Sequence, residues 1–182
     1  AYSSVEHMGI LALGIGLGGV GVFGSLLHAV NHSLVKALLF MTAGNILACC
    51  HTKQTESVIG LRRILPISGA LWITGFLAIS GIPPFGVFLS EFTILRAAVD
   101  QGRWVLAILY LLFLLLVFVG MAGAFLRMTL GKPEQSTTRE SWSAILPPAV
   151  FAVLTLLLGL HIPEWLRTVM NEASLWLGGS GL

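Results

Sequence analysis

Four polar residues, Ser25, His28, His32 and Lys36, recur at intervals of three, four and four inside an otherwise apolar stretch running from Gly24 to about Cys49. On an α-helix those intervals place all four side chains on one face. At a rise of ~1.5 Å per residue, the two histidines and the lysine follow one another in steps of ~6 Å. The stretch is long enough to cross a bilayer, and Lys36 falls near its middle. A lysine at that depth costs at least ~2.5 kcal/mol on insertion scales, so ionisable groups inside membranes are as a rule buried and functional. Three titratable groups in a row predict a proton relay.

Composition places this stripe in a membrane protein. Of 182 residues, 56% are hydrophobic and 10% are charged, where soluble domains carry about 25% charged residues. The fold class expected is all-α: a polytopic bundle of transmembrane helices occupying residues 1–182. A net charge of +2 without any basic cluster gives no support for nucleic-acid binding. The two cysteines, Cys49 and Cys50, are adjacent and close a span, a poor arrangement for a structural disulfide or for chelating one metal, and they read as small apolar residues. An iron–sulfur cluster needs about four thiolates, so this chain holds none by itself. The chain opens on Ala1-Tyr2-Ser3-Ser4 with no initiator Met, no charged leader and no cleavage site, and reads as the C-terminal part of a longer protein.

Hydropathy divides the chain into about five membrane segments. The first, roughly 5–23, has Glu6 and His7 at its start and Gly14, Gly16, Gly18 and Gly19 near its end. The second carries the His/His/Lys stripe. A loop over 51–65 follows. The third segment, 66–99, is too long for one straight span, and Gly81-Ile82-Pro83-Pro84-Phe85-Gly86 interrupts it. The fourth covers 104–126 and the fifth 144–160, separated by a polar loop at 131–141. Residues 163–182 form an amphipathic tail with Trp165 and Trp176 as interface anchors. Outside Lys36, six of the Lys and Arg residues (Lys53, Arg62, Arg63, Arg127, Lys132 and Arg139) share one side if the third segment crosses once, which makes that side cytoplasmic. If the third segment is a re-entrant hairpin, the charges regroup in the same proportion, so charge does not choose between the two.

Several constellations have competing readings. His28 and His32 can simply hydrogen-bond a neighbouring helix, but two histidines at i, i+4 with a lysine four residues on favour a relay. Histidine titrates near neutral pH and shuttles protons. Steps of ~6 Å exceed a hydrogen bond and call for bridging water. A His-x-x-x-His metal site exists on spacing alone, but a charged lysine is a poor ligand and no matching acid or cysteine is in view, so no metal is expected. Pro83 and Pro84 deprive carbonyls one turn earlier of their donors. Discontinuous helices of this kind line ion pathways, where protein or water meets the freed carbonyls. Seven residues beyond Pro84, Glu91 places a carboxylate on an apolar half-helix. It can snorkel or pair with Arg96, or it can end the relay as a protonatable site. Glu6 is a weaker relay candidate, since an acid in the first turn of a helix is a common arrangement. Gly14-Ile15-Gly16-Leu17-Gly18-Gly19 follows no strand and reads as a packing or turn element rather than a nucleotide fingerprint. The loop basics serve topology. His51 and His161 lie near span ends without a role, and no Ser/His/Asp triad, phosphate loop or quinone signature is present.

Tyr2-Ser3-Ser4-Val5-Glu6-His7-Met8-Gly9, the run from Leu27 to Phe40, Gly81-Ile82-Pro83-Pro84-Phe85 and Leu89-Ser90-Glu91-Phe92 resemble the antiporter-like subunits of respiratory complex I. The resemblance is closest to the hydrogenase-4 component F branch, found in membrane-bound hydrogenase and formate hydrogenlyase complexes. It covers about residues 1–100; beyond 130 it rests on hydropathy. It implies about 14 helices in two inverted halves, each with a broken helix. This chain would supply the later spans, with 66–99 as a broken crossing rather than a hairpin and Gly81, Pro83, Pro84 and Gly86 at the break. By motif position, Lys36 would belong to a central hydrophilic axis, His28 and His32 would be its relay partners, and Glu91 the terminal protonatable residue, where many members have lysine. The first half's glutamate–lysine pair lies outside this chain, so the chain alone should not pump.

The function expected is proton translocation by a membrane subunit of a redox-driven complex, of hydrogenase-4/formate hydrogenlyase or NADH-quinone oxidoreductase type, through His28, His32, Lys36, Glu91 and Glu6. No catalytic redox centre or cofactor is expected in this chain. Iron–sulfur and nickel–iron or flavin centres would sit in partner subunits. Expected partners are other membrane subunits, peripheral redox subunits, the lipid bilayer and protons, with sodium as the alternative ion. The location expected is the bacterial or archaeal cell (inner) membrane, crossed several times. The rival readings are an Mrp-type cation/proton antiporter subunit and a structural anchor with a vestigial relay.

Overall fold

A computed structural model describes residues 2–131 and 138–180. The described residues are helical and contain no β-strand, only an isolated bridge between Gly19 and Gly179. In chain order the helices are α1 (Tyr2–Leu17), α2 (Val20–Cys50), α3 (Leu61–Ile64), α4 (Pro66–Ile79), α5 (Gly86–Asp100), α6 (Trp104–Leu130), α7 (Trp142–Leu160) and α8 (Glu164–Trp176), with one short 3₁₀ turn at Thr55–Ser57.

The first expected segment ends earlier than hydropathy suggests. Gly18 and Gly19 adopt φ values of 70° and 52°, a left-handed region that L side chains avoid and glycine enters freely. The chain turns there, so residues 20–23 belong to α2 and not to the first helix. Hydropathy misses the turn because glycine is neutral on any transfer scale. Gly14 and Gly21 act differently. A Cβ on Gly14 would collide with Ser25 Oγ, and one on Gly21 would press on the Gly14 carbonyl at 2.6 Å. These two positions let α1 lie directly against α2.

α2 is the central post. Its 31 residues span about 46 Å, and α1, α4, α5, α7 and α8 all pack on it. It closes at His51, whose φ of 53° and N–H donation to the Leu47 carbonyl form a left-handed C-cap. Three helices, α2, α6 and α7, are long and apolar enough to cross a membrane; α1 and α4 are shorter apolar helices. α4 begins on Pro66 in its first turn, where the missing N–H has no cost. The Glu140 carboxylate accepts from the Ile67 and Ser68 amides at 2.7 and 2.9 Å, capping that helix start from the far side of the 131–141 loop. Residues 132–137 of that loop, Lys132 among them, lie outside the described residues. Trp72 and Phe76 of α4 stack on Phe125 of α6, with centroids 4.6 and 4.8 Å apart.

The interruption expected at 81–86 is present as a non-helical link between α4 and α5. Gly81 has φ 62°. α8 is amphipathic: Met170 packs with Phe23 and Leu27 of α2, while Trp165 and Trp176 are exposed, 68% and 90%. The Ser180 amide donates to the Gly19 carbonyl at 3.0 Å, tying the tail to the α1–α2 turn.

α7 approaches the interruption through Gly159, where a Cβ would collide with the Pro84 carbonyl and sit 2.5 Å from the Phe85 carbonyl carbon. Gly159→Ala should therefore lower stability by roughly 1–3 kcal/mol through overpacking. Gly16→Ala, which meets open space, should be neutral or slightly stabilising. Melting midpoints of the two detergent-solubilised variants, read against the parent, check this contrast.

Candidate functional site

The expected stripe forms, and the structure adds a second helix to it. Ser25, His28 and His32 are buried on the inner face of α2, and Lys36 is half-buried one turn further. The gap between His28 and His32, with ring centroids 6.2 Å apart, is flanked by a third imidazole, His7 of α1. Its ring centroid lies 5.1 Å from His28 and 4.5 Å from His32. Spacing along α2 alone assigns those gaps to water. The structure sets His7 beside the gap between the two α2 histidines, because Gly14 and Gly21 let α1 approach closely, while the unpartnered His7 Nε2 and His32 Nδ1 leave that step to water.

One proton inventory orders the hydrogen bonds. Ser90 Oγ, on α5, donates to the Val87 carbonyl at 2.8 Å and lies 3.0 Å from His28 Nδ1. With its single proton so used, Ser90 accepts from His28 Nδ1–H. A neutral His28 then accepts at Nε2, so His7 Nδ1 donates across 2.9 Å. Each neutral imidazole donates through one nitrogen and accepts through the other, so the three groups form a polarised file. A proton taken up at His7 Nε2 shifts the His7–His28 bond and is passed towards Ser90, whose hydroxyl has to turn from the Val87 carbonyl before it can hand a proton on. His7 Nε2 and His32 Nδ1 are buried with no hydrogen-bond partner in the protein, leaving an acceptor and a second ring nitrogen for water or another ligand.

At the outer end, Lys36 Nζ donates to Ser3 Oγ on α1 at 2.8 Å and lies 5.8 Å from the Phe40 ring centroid. Glu6 is on α1 and lies within electrostatic reach of Lys36 and Glu91. Its Oε2 is buried and unpartnered. It lines an apolar groove of about 960 Å³ between α1 and α6, together with Tyr110, whose buried hydroxyl also has no partner in the protein.

At the inner end, Glu91 is buried on α5 beside Ser90. Its carboxylate sits against Gly81 of the interruption so closely that a Cβ there would collide with Glu91 Oε2. Burial excludes the snorkelling alternative. Arg96 instead pairs with Asp100 at 3.3 Å on the exposed face. Asn31, on the same inner face of α2, donates through Nδ2 to the Gly86 carbonyl at 2.9 Å. It thereby ties the relay helix to the first residue of α5. Pro83 and Pro84 stand at the exposed rim of the link. His51 and His161 are exposed and remote from the file.

Sequence reasoning misses four participants. It presents His7 only as a neighbour of Glu6, and Ser3, Asn31 and Ser90 only as motif letters. Their roles arise between helices, and no spacing along one helix encodes them.

An all-helical apolar body with a buried file of titratable groups is the architecture of a polytopic membrane protein. The chain belongs to the NADH:quinone oxidoreductase/Mrp antiporter transmembrane family, which matches residues 1–126. It is 33% identical over 172 residues to a hydrogenase-4 component F homolog of Methylacidiphilum infernorum, covering 92% of this chain and 36% of that protein. It is 25% identical to a Na(+)/H(+) antiporter subunit of Bacillus subtilis, covering 95% of this chain and 36% of that protein. The fold superposes on a chain of respiratory complex I from Thermus thermophilus with a TM-score of 0.81 at 29% identity, covering 98% of this chain and 39% of that one. A chain of the Mrp complex from Dietzia sp. shares the fold with a TM-score of 0.81 at 20% identity, over 98% of this chain and 40% of that one. The chain thus spans little more than a third of the relatives it matches.

Asn31→Ala should leave the Gly86 carbonyl without its side-chain donor and cost about 1–3 kcal/mol. Faster amide hydrogen exchange across Val87–Glu91, with α6 unchanged, is the expected signature.

Proposed function

We propose that this chain forms the proton-conducting later part of an antiporter-like membrane subunit in a redox-driven complex of the hydrogenase-4 or NADH-quinone oxidoreductase type. The observation that carries the reading is the file of polar side chains, the half-buried Lys36 with Ser3, then the buried His32, His7, His28 and Ser90, leading towards Glu91 against the interruption. In an apolar helical body a file of this kind has a high desolvation cost, and intramembrane titratable groups mark ion paths. The likeness to a hydrogenase-4 component F homolog and to complex I supports the redox-driven setting.

In this reading there are five membrane segments, and α4 and α5 together form one broken crossing. α6 and α7 are the last two crossings, and α8 lies at the interface on Trp165 and Trp176. The membrane is the bacterial or archaeal cell membrane. Electrons are handled by iron–sulfur and nickel–iron or flavin centres in peripheral partner subunits, and neighbouring membrane subunits deliver the triggering charge.

The mechanism is electrostatic. A charge arriving near Glu6, which is coupled to both Lys36 and Glu91, alters the affinity of Lys36 for its proton. One pKa unit corresponds to ~1.4 kcal/mol, so small charge displacements in a dry interior suffice. The released proton passes through water to His32 and again through water to His7 Nε2, on from His7 Nδ1 to His28, and, as Ser90 turns its hydroxyl from the Val87 carbonyl, through water at the interruption to Glu91. Gly81 leaves the Glu91 carboxylate room at the break, and Asn31 fixes the break in register with the file.

Lys36→Met and Glu91→Gln in the complete complex should each abolish or reduce at least about tenfold the proton gradient formed by inverted membrane vesicles, while redox turnover persists or slows. Normal pumping in both variants would sink the relay and favour the structural-anchor reading. Wild-type transport that requires sodium would shift the assignment to a cation/proton antiporter subunit.

A further inference from the structure

We infer that His7, His28 and His32 form a binding site for one divalent transition ion of the imidazole-preferring class, with Zn²⁺ or Co²⁺ as its probe, and that an ion there plugs the file. One ring nitrogen from each histidine can be chosen so that the three lie within 4.8 Å of one another. Three imidazoles on a tetrahedral ion, bound at 2.0–2.1 Å, stand about 3.3 Å apart. The His7 Nδ1–His28 Nε2 pair is already at 2.9 Å, and the one proton between them moves to the unpartnered His7 Nε2 when an ion takes its place. His32 then closes by a side-chain rotation, since its ring centroid is 4.5 Å from that of His7.

Two further observations point to a ligand. His32 Nδ1 is a buried ring nitrogen with no partner in the protein, on a side chain 6% exposed. The ring nitrogen of His28 opposite its metal-facing Nε2 is engaged by Ser90 Oγ at 3.0 Å, the outer hydrogen bond that metal-binding histidines characteristically make. The ligand set is neutral and leaves a fourth position open to water. Imidazole sets of this kind suit Zn²⁺, Cu²⁺ and Ni²⁺ over Mg²⁺ and Ca²⁺. Lys36 acts electrostatically on both His7 and His32, so its charge opposes the ion.

Occupation would remove the lone pairs through which the file reverses, so a bound ion should stop proton transfer; this consequence rests on the relay reading, whereas the site does not. The test uses the intact complex, stripped of adventitious metal. Isothermal titration with Zn²⁺, ligand-field absorption with Co²⁺ and X-ray absorption of the loaded wild type read the site directly. One ion per subunit with three imidazole ligands is expected. Ser90→Ala should weaken it about 10–100-fold, His7→Gln should abolish it, and Lys36→Met should tighten it several-fold. No stoichiometric binding, no imidazole scattering from the wild type, or undiminished binding in His7→Gln would overturn the site. Zn²⁺ held by the three histidines with vesicle transport undiminished would keep the site and overturn the relay instead.

Discussion

A polar group buried in an apolar interior needs a partner, and most of those on the inward face of α2 find theirs in the protein, while His32 Nδ1 is left to water or a ligand. That requirement orders the molecule. Ser25 donates to the Leu11 carbonyl of α1, His28 is held between His7 of α1 and Ser90 of α5, and Asn31 reaches the Gly86 carbonyl. Lys36 finds Ser3. Further along, Asn45 donates to the Ala144 carbonyl of α7 at 2.8 Å. Asn45 also reaches Ser68 of α4, so one helix recruits four neighbours by hydrogen bonding, and the apolar packing of α8 fills what is left.

The interruption between α4 and α5 obeys the same rule. Irregular backbone inside an apolar body is tolerated where its polar groups are met by neighbouring protein. Here α2 approaches from one side through Asn31 and α7 from another through Gly159. The glycines act by what they lack: a methyl group at 81, 86 or 159 would displace Glu91, Asn31 or the link itself. The space saved brings the carboxylate of Glu91 to the link, so the packing of the break and the placement of its acid are one feature.

The outer surface follows a different logic. α6 buries little beyond Ala107, Tyr110, Met128 and Thr129 and exposes Val105, Ile108, Phe113, Leu116 and Val119. Such a continuous apolar face is stable against lipid or a neighbouring membrane subunit and unstable against water. Glu6 and Tyr110 open onto the groove beside this helix, where the titratable interior comes nearest to whatever covers α1 and α6.

The sequence by itself determined the helical class, the membrane setting, the interruption at 81–86 and the polar stripe of α2. Those features are local: composition, a 3.6-residue period and the missing N–H of proline act within one segment. It also singled out Glu91, since a lone carboxylate in an apolar run is conspicuous in any arrangement. Tertiary structure alone decided that His7 stands beside His28 and His32, that Ser90 sets the direction of the file, and that Asn31 clamps the break. It also moved the end of the first helix back to Leu17, because the two-glycine turn is a matter of backbone angle and hydropathy carries no record of it. The physical reason is distance. His7 and His28 are 21 residues apart and His28 and Ser90 are 62 apart, so their meeting depends on how closely the backbones pack, and Gly14 and Gly21 fix that for α1 on α2.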